Sequence, residues 1–297
     1  MIKGKKRFVL ICCLCFILFL FGVGLLLYPM ISVYFADSSR SEVRTEYNEV
    51  LETMDTSELH SARAAAQQHN QQLFSGQLNC LDPTNNGYFN QLDISGTGIM
   101  GYISIPKLGV FLPIYHGTGD DVLQHGAGHM PQSSLPIGGE NTHAVVTAHS
   151  GMATNPMFSD LELLEIGDIF QIEVLDEVLT YEVSNIETVL PQQIESIQLR
   201  PGEDLVTLIT CTPFGVNTHR LLVQGTRIST PIHDDTVSEE TGPTGEGIES
   251  VWMTQYRNSI LTGLGVVGIL VLIFCLVIYV RKIIKKRTRT KNEQENS

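Results

Sequence analysis

Basic side chains are scarce in the long central part of this 297-residue sequence. Eleven of its 19 Lys and Arg residues lie near the two ends, and only eight remain between Met30 and Arg257. Those eight are set against 30 Asp and Glu residues, so the stretch has a formal charge of −22. Such an excess of negative charge excludes nucleic acid as the expected partner, because the phosphate backbone would be repelled. A solvated acidic surface is enough to explain the excess of Asp and Glu.

Charge of either sign is absent from two long stretches, residues 8–28 and 259–280. Each is about 20 residues long, the length of a membrane-spanning helix. A cleavable signal peptide is the alternative for the first, but its apolar region is usually only about 7–15 residues. Basic residues precede the first stretch and follow the second, so the positive-inside rule puts both termini in the cytoplasm. The sequence therefore predicts a cell-membrane protein with two transmembrane helices and an extracellular central part.

Cysteine is almost absent outside these two stretches. Of the six cysteines, only Cys80 and Cys211 lie in the extracellular part. Two thiols do not make a disulfide framework, and a chain of this size does not need one to fold. An oxidising exterior would allow the two to pair, and two ordinary free thiols are the simpler alternative.

Composition divides the chain into seven parts. Residues 38–73 contain no Gly or Pro and begin a capping pattern at Asp55 and Glu58, which predicts one or two helices. Residues 79–90 are rich in turn formers, and residues 230–250 are rich in Thr, Gly, Pro and acids. The predicted parts are a basic end with a transmembrane helix (1–30), a helical stalk (31–78), a loop (79–90), a β domain (91–229), an acidic flexible linker (230–257), a transmembrane helix (258–280) and a basic cytoplasmic tail (281–297).

The β domain is predicted from short β-branched runs that Gly and Pro separate. The runs are GYISIP, VFLPIYH, HAVVTAH, IFQIEVL, LTYEVSNIETVL, LVTLITC and RLLVQGTRI. Many short strands at close spacing, with few helical patterns between them, are typical of a mainly β domain that closes as a barrel or a sandwich.

One thiol stands at the end of an apolar strand, in TLITC. Alternation puts Thr207, Ile209 and Cys211 on one face of that strand, and Arg220 opens the next strand nine residues later. If the two strands pair as an antiparallel hairpin, Cys211 and Arg220 lie at neighbouring strand ends, about 5 Å apart. The spacing therefore predicts a cation beside a thiol.

Thiolate chemistry also needs a group that exchanges protons near neutral pH. His143 and His149 share a face of HAVVTAH but are six residues apart, roughly 20 Å along a strand, so both cannot serve one site. His149 has the better position, at the strand end. His125 and His129 flank GAG, whose glycines argue against a helical metal-binding pair, and the sequence has no HExxH.

These residues resemble a known family. TLITC followed by Arg220, with TAHSG upstream, is similar to the signature of the sortases, membrane-anchored cysteine transpeptidases of Gram-positive cell surfaces. Longer stretches resemble class C, the pilin-polymerising sortases: GYISIPKLGVFLPIYHGT, LQHGAGHMPQSSLPIGGENTHAVVTAHSG and TLITCTPFGVNTHRLLVQGTR. The resemblance covers about residues 40–230, and the two predicted spans around one domain fit that class as well.

The resemblance implies a closed eight-stranded sortase-type β-barrel with N-terminal helices and a transmembrane helix at each end. It implies that Cys211 is the nucleophile, His149 the general acid and base, and Arg220 the cation that positions substrate or stabilises the oxyanion. The implied reaction cleaves an LPxTG-like sorting signal and joins the product to a lysine of the next pilin subunit. No class A calcium motif is present, so the resemblance implies neither a metal nor a cofactor.

Class C sortases also carry a lid over the cysteine, with an Asp-Pro-aromatic motif. The matching residues here are Asp82, Pro83 and Thr84, so the aromatic is missing, and Tyr88 or Phe89 is the expected substitute. Ala148 and Ser150 stand where family members often have Gly and Arg beside the histidine. A disulfide between Cys80 and Cys211 that silences the enzyme is a further hypothesis.

Three alternatives stay open from the sequence. The chain can be a sortase that anchors surface proteins to the cell-wall precursor. It can be a papain-like or other cysteine hydrolase, which would need Asn or Asp to orient the histidine and no arginine after the thiol. From another class, it can be a non-catalytic membrane-anchored adhesin or receptor with a β domain.

Overall fold

A computed structural model of the protein describes residues 44–229 and a few helical residues within 19–31 and 258–267; inside the first range it leaves out residues 80, 85, 151–156, 194 and 214. The chain divides into two compact units, residues 1–250 and 251–297, and every element below belongs to the first. In the described part of the chain, none of the helices combines the length and apolar character that a bilayer crossing requires. The predicted spans lie largely outside the described residues, and the linker at 230–257 lies wholly outside them.

Eight strands close into a single barrel, which confirms the predicted closed eight-stranded barrel and excludes a sandwich. The strands are β1 (Ile99–Ile105), β2 (Val110–His116), β3 (Ala127–His129), β4 (Thr142–Thr147), β5 (Ile169–Val174), β6 (Glu177–Val189), β7 (Asp204–Thr212) and β8 (His219–Ile228). Around the barrel they follow the order β1-β2-β3-β4-β7-β8-β6-β5. Strand β7 pairs in parallel with β4 on one side and antiparallel with β8 on the other.

Strands β4, β7 and β8 are buried on both faces, which explains their nearly continuous apolar sequences. Their inward side chains, among them Val146, Leu208 and Val223, join the main core of the barrel. On the outer face a second cluster forms from Val145, Ile209 and Leu222, with partly buried Met130, Val189 and Ile197 packed against it.

Two helices pack against the barrel: α1, which includes residues 44–53, and α2, Thr56–Phe74. The predicted capping box is present at the start of α2, between Asp55 and Glu58. Helix α2 is tied to the barrel through the buried Asn70 amide, which bonds both the N–H and the carbonyl of Leu135, at 2.7 and 3.1 Å. A one-turn helix, α3, spans Asp120–Leu123.

Tyr88 anchors the chain just before β1 in the core, because its ring is fully buried. Its hydroxyl accepts the N–H of Gly117 at 2.9 Å and lies 3.0 Å from Nδ1 of His129. The other ring nitrogen of His129, Nε2, lies 2.7 Å from the carbonyl of Ser134. A carbonyl can only accept, so Nε2 carries the proton and Nδ1 is the unprotonated nitrogen. The Tyr88 hydroxyl also lies 3.1 Å from the carbonyl of His129, so its one proton is shared between that carbonyl and Nδ1. Both nitrogens of the neutral imidazole thus have a polar partner.

The buried imidazole predicts that stability is lost in acid. Burial, and more weakly the nearby His116 and His69, lowers the pKa of His129 to about 3, whereas an unfolded chain takes up this proton near pH 6.5. The stabilising effect of the neutral ring is therefore complete above about pH 6.5 and falls by about 1.4 kcal/mol per pH unit below it, down to pH 3. Urea unfolding at pH 7 and pH 5 measures the loss.

Other groups also titrate in this range, so a matched variant isolates the contribution of His129. His129→Gln keeps a donor and an acceptor but cannot take up a proton in this range. We expect the free energy of unfolding of the wild type to fall by about 2 kcal/mol more than that of the variant between pH 7 and pH 5. Equal losses in the two proteins would show that His129 is already charged, or not buried, in the folded state.

Candidate active site

The hairpin of β7 and β8 places Cys211 directly opposite Arg220, as the nine-residue spacing predicts. Cys211 accepts a hydrogen bond at its carbonyl from Ser150, so its backbone groups face β4 and not β8. Cys211 and Arg220 therefore form a non-hydrogen-bonded pair of the antiparallel ladder, in which Cα atoms approach to about 4.5 Å and side chains lie closest. Both residues are half-buried.

The side chain of Arg220, near the start of β8, is bonded to backbone carbonyls that precede it in the chain. Its Nη1 donates to the carbonyls of Asn217 at 3.2 Å and His219 at 3.1 Å. These bonds use one corner of a guanidinium that has five N–H donors in a fixed fork. Two backbone carbonyls thus fix the orientation of the guanidinium.

His149 follows the end of β4, the strand that pairs with β7 on the side away from β8. The last regular pair of the parallel ladder is Thr147 with Ile209, and the N–H of Ala148 continues it with a 3.1 Å bond to the carbonyl of Ile209. A register continued for two more residues predicts His149 beside Cys211, about 4.8 Å away between strand backbones. Residues paired directly across parallel strands point to the same face, so the same extension predicts the imidazole and the thiol on the outer face of the sheet.

The backbone carbonyl of His149 is held by a hydrogen bond of its own. It accepts the N–H of Phe158 at 3.1 Å, and Phe158 is a fully buried core residue. A small cavity adjoins the site, and the residues around it are Ser150, Ser159, Glu162, Thr210, Cys211, Thr212 and Leu221. One thiol, one imidazole and one guanidinium therefore come from β7, from the chain that follows the end of β4, and from β8.

His143, the alternative on the same face as His149, has a structural position. It is fully buried, and its ring nitrogens lie 2.7 Å from Oγ1 of Thr207 and 2.9 Å from the carbonyl of Gln198. Burial lowers the pKa of His143 below its ordinary value, which keeps the ring neutral. Its place is at the far end of β4, as the spacing along the strand predicts.

The predicted lid residues form a turn before β1. Thr84 donates its hydroxyl to the carboxylate of Asp82 at 2.5 Å, and the N–H of Asp82 donates to Asn79. The expectation that Tyr88 covers Cys211 is wrong, because Tyr88 is a fully buried anchor bonded to His129 and Gly117. Phe89 is 45% exposed and packs edge-on against Tyr88 at 5.0 Å.

The disulfide hypothesis finds no support at Cys211, which is a free thiol, while Cys80 lies outside the described residues. Sequence reasoning missed the contribution of Ser150, which it treated only as a departure from the family pattern. Its position one residue after His149 was visible, but its partner becomes visible only with the parallel pairing of β4 and β7.

Known proteins share both this fold and these motifs. A model of the Sortase domain matches residues 103–228. The crystal structure of sortase C1 from Streptococcus agalactiae superposes with a TM-score of 0.59 at 42% identity, covering 63% of this chain and 97% of that chain. Streptococcus pneumoniae sortase C superposes with a TM-score of 0.58 at 44% identity, covering 64% of this chain and 97% of that chain. Clostridium perfringens sortase C was solved with the C-terminal cell wall sorting motif. It superposes with a TM-score of 0.56 at 36% identity, covering 65% of this chain and 99% of that chain.

Curated relatives match over a shorter stretch. Sortase A of Streptococcus agalactiae is 34% identical over 117 residues, which is 38% of this chain and 47% of that protein. Sortase D of Bacillus subtilis is 30% identical over 132 residues, 43% of this chain and 64% of that protein. The chain therefore spans about half to two thirds of the length of these curated relatives.

The barrel, its sequence motifs and these matches define the class of protein, and the chain belongs to the sortase family. Within that family, its neighbours among solved structures are sortase C structures at 34–44% identity, which groups the chain with class C.

Proposed function

We propose that this protein is a cysteine transpeptidase that cleaves an LPxTG-like sorting signal and joins pilin subunits through isopeptide bonds. The observation that carries the proposal is the pairing of Cys211 with Arg220 across β7 and β8, with His149 two residues beyond the last paired residue of the neighbouring strand β4. A nucleophile, a proton carrier and a fixed cation are the groups that acyl transfer through a thioester requires.

In the first half-reaction the thiolate of Cys211 attacks the carbonyl carbon of the Thr-Gly bond. The tetrahedral oxygen becomes negative, and the Arg220 fork donates to it. When the C–N bond breaks, His149 gives its proton to the departing amine of glycine. The products are a thioester on Cys211 and the released C-terminal peptide.

In the second half-reaction a lysine amine of another subunit attacks the thioester carbon. His149, now neutral, takes a proton from the attacking nitrogen, and the thiolate of Cys211 leaves. The net change replaces one amide bond by another, so the reaction needs no cofactor and no external energy source. Water in place of the amine would give hydrolysis.

Two relatives support this choice of substrate. The structure of Streptococcus pneumoniae sortase C is described as giving insight into catalysis and pilin substrate specificity. Clostridium perfringens sortase C was crystallised with its cell wall sorting motif. Both are more than 35% identical to this chain and are covered over nearly their whole length.

The uncharged stretches at 8–28 and 259–280 support a location in the cell membrane. In this proposal the catalytic domain faces outward, where secreted pilin subunits arrive, and both termini are cytoplasmic. Labelling of Cys211 in intact cells by a membrane-impermeant maleimide would support this topology, and labelling only after lysis would contradict it.

We also propose that residues 79–90 act as a lid. The Asp82-Pro83 motif supports this role, as does the rigid anchor that Tyr88 provides at the end of the segment. Such an anchor lets the residues before it move while the barrel stays intact. Asp82→Ala should then ease access of substrate to Cys211.

Incubation with a candidate pilin that ends in an LPxTG-like signal tests the proposal. The protein samples are the soluble segment 38–229 as wild type, as Asp82→Ala and as Cys211→Ala, with products read by denaturing gel and intact mass. We expect ladders of covalent multimers that require Cys211 and become stronger with Asp82→Ala.

Each other outcome has a distinct meaning. An acyl-enzyme on Cys211 without ladders would keep sortase chemistry but move the acceptor to the cell-wall precursor. Unchanged ladders in the Asp82→Ala protein would contradict the lid. Neither cleavage nor an acyl-enzyme with several sorting signals would overturn the proposed function.

A further inference from the structure

The regular ladder between β4 and β7 ends two residues before His149, whose imidazole the proposed reaction uses. Strand β4 ends at Thr147, and the N–H of Ala148 makes the last backbone bond to β7. His149 and Ser150 follow without a strand to hold them, although the proposed reaction needs the imidazole within hydrogen-bond reach of the thiol and the leaving amine.

Side-chain hydroxyls replace the missing ladder. Thr210 donates its hydroxyl to the carbonyl of Ala148 at 2.9 Å. Ser150 donates its hydroxyl to the carbonyl of Cys211 at 2.7 Å. The two residues that flank His149 are thus each bonded to β7, and one of these bonds ends on the backbone of Cys211 itself.

We propose that Ser150 is the positioning residue of the catalytic site, fixing His149 relative to Cys211. The proposal rests on the function proposed above, and it concerns a residue that does not touch the reacting atoms. Ser150 acts through the backbone: its bond holds the chain next to His149 at one distance from the chain that bears the thiol. The other bonds near His149 are that of Phe158 to its carbonyl and those of Ala148 to β7, so loss of the Ser150 bond removes the link between β7 and the residue that follows His149.

The bond has a matched control on the same strand. Thr147 also donates its hydroxyl to a carbonyl of β7, that of Ile209, at 3.1 Å. It precedes His149 by two residues and forms the last regular pair of the ladder, where the backbone bond of Ala148 to Ile209 holds the register without it. Thr147→Val therefore removes the same kind of bond, from the same two strands, without loosening His149.

The test uses the full-length chain in a mild nonionic detergent, as wild type, Ser150→Ala, Ser150→Thr and Thr147→Val. Cleavage of a fluorogenic LPxTG peptide gives kcat and KM. We expect Ser150→Ala to lower kcat roughly 10- to 100-fold, because a small misplacement of a catalytic group has an effect of this size, with KM nearly unchanged. Ser150→Thr keeps the hydroxyl and should recover most of kcat, and Thr147→Val should resemble the wild type.

A second measurement does not depend on the substrate. The rate at which iodoacetamide alkylates Cys211 is followed against pH, with His149→Ala as reference. His149→Ala removes the imidazole that the proposal places next to the thiol, so we expect Ser150→Ala to move the profile towards that of His149→Ala and Ser150→Thr to restore it. A Ser150→Ala profile that coincides with the wild type would overturn the positioning role.

The two measurements also separate this inference from the proposed function. A wild type that cleaves no sorting signal would overturn the function, while the alkylation profiles would still decide whether Ser150 places His149. Thermal unfolding of each variant completes the comparison. An equal loss of kcat in Ser150→Ala and Thr147→Val, with equally lowered melting temperatures, would assign both bonds to stability and contradict the proposal.

Discussion

Cys211→Ala is expected to abolish cleavage of an LPxTG-like peptide, with a fall of at least about 10³-fold in kcat/KM. The reason is that the proposed mechanism forms its thioester on this thiol, and Cys211 is the free cysteine that pairs with Arg220 in the described residues. The replacement deletes one sulfur from a half-buried side chain, so the barrel should keep its stability. Intact mass of the wild type, trapped with peptide and no amine, should show the thioester that the variant lacks.

Cys80→Ala is the matched control for the loss of Cys211, because it removes the other cysteine of the predicted extracellular part. We expect this variant to retain wild-type cleavage under reducing conditions. Retained cleavage or retained surface assembly in Cys211→Ala would contradict thiol catalysis. Retained assembly in particular would favour the non-catalytic adhesin that the sequence leaves open.

The core of the site could be predicted because it depends on local pairing. Cys211 and Arg220 belong to consecutive strands joined by a short loop, so alternation and spacing were sufficient to place them opposite each other. The alternative histidine, His143, is buried and bonded on both nitrogens in the structure, while the choice of His149 stays a prediction. The chemical roles of these residues remain predictions.

Other features could not be predicted because they depend on distant pairing or on backbone alone. The parallel contact of β4 with β7 joins residues 62 positions apart, and parallel strands have no turn that would reveal their register. Strand β3 is only three residues, Ala-Gly-His, too short and too small to show an alternating pattern. A Cβ at Gly128 would lie 2.3 Å from the carbonyl of Gly117, so close packing of backbones explains the glycine there.

Tyr88 shows how turn-rich sequence can conceal a core residue. Its surroundings, Asn-Asn-Gly before it and Phe-Asn after it, are typical of an exposed loop. The partners that bond its hydroxyl are Gly117, just after the end of β2, and His129 in β3, which lie 29 and 41 residues further along the chain. The aromatic of the family lid motif therefore has no replacement at Tyr88, and Phe89 is the exposed aromatic that follows the turn.

The site lies near the end of β7, which, like β2, β3 and β4 in the described topology, has a parallel neighbour on one side and an antiparallel neighbour on the other. This mixed pairing has a chemical consequence. The antiparallel partner supplies Arg220 near its strand start, and the parallel partner leads to His149 two residues after its strand end. Arg220 therefore pairs with Cys211 near the end of β7, and His149 follows from the strand on the other side.

Arg220→Ala is expected to lower kcat by about 10²–10³-fold, the usual cost of losing an oxyanion donor. Arg220→Lys should recover only part of this loss. An ammonium is a point charge on a flexible stem, and it cannot hold the carbonyls of Asn217 and His219 while also offering a planar fork to the tetrahedral oxygen. Stopped-time cleavage assays at saturating and at low peptide concentration separate kcat from KM.

Arg227→Lys is the control for the Arg220 variants, because it makes the same conservative change at the far end of the same strand. There the guanidinium stands 5.6 Å over the ring of Tyr181, away from Cys211, and wild-type rates are expected. Full recovery of kcat by Arg220→Lys would mean that only charge matters and not the fork. A rise in KM with unchanged kcat in Arg220→Ala would mean that Arg220 holds the bound peptide equally in the ground state and the transition state, which would remove it from oxyanion stabilisation.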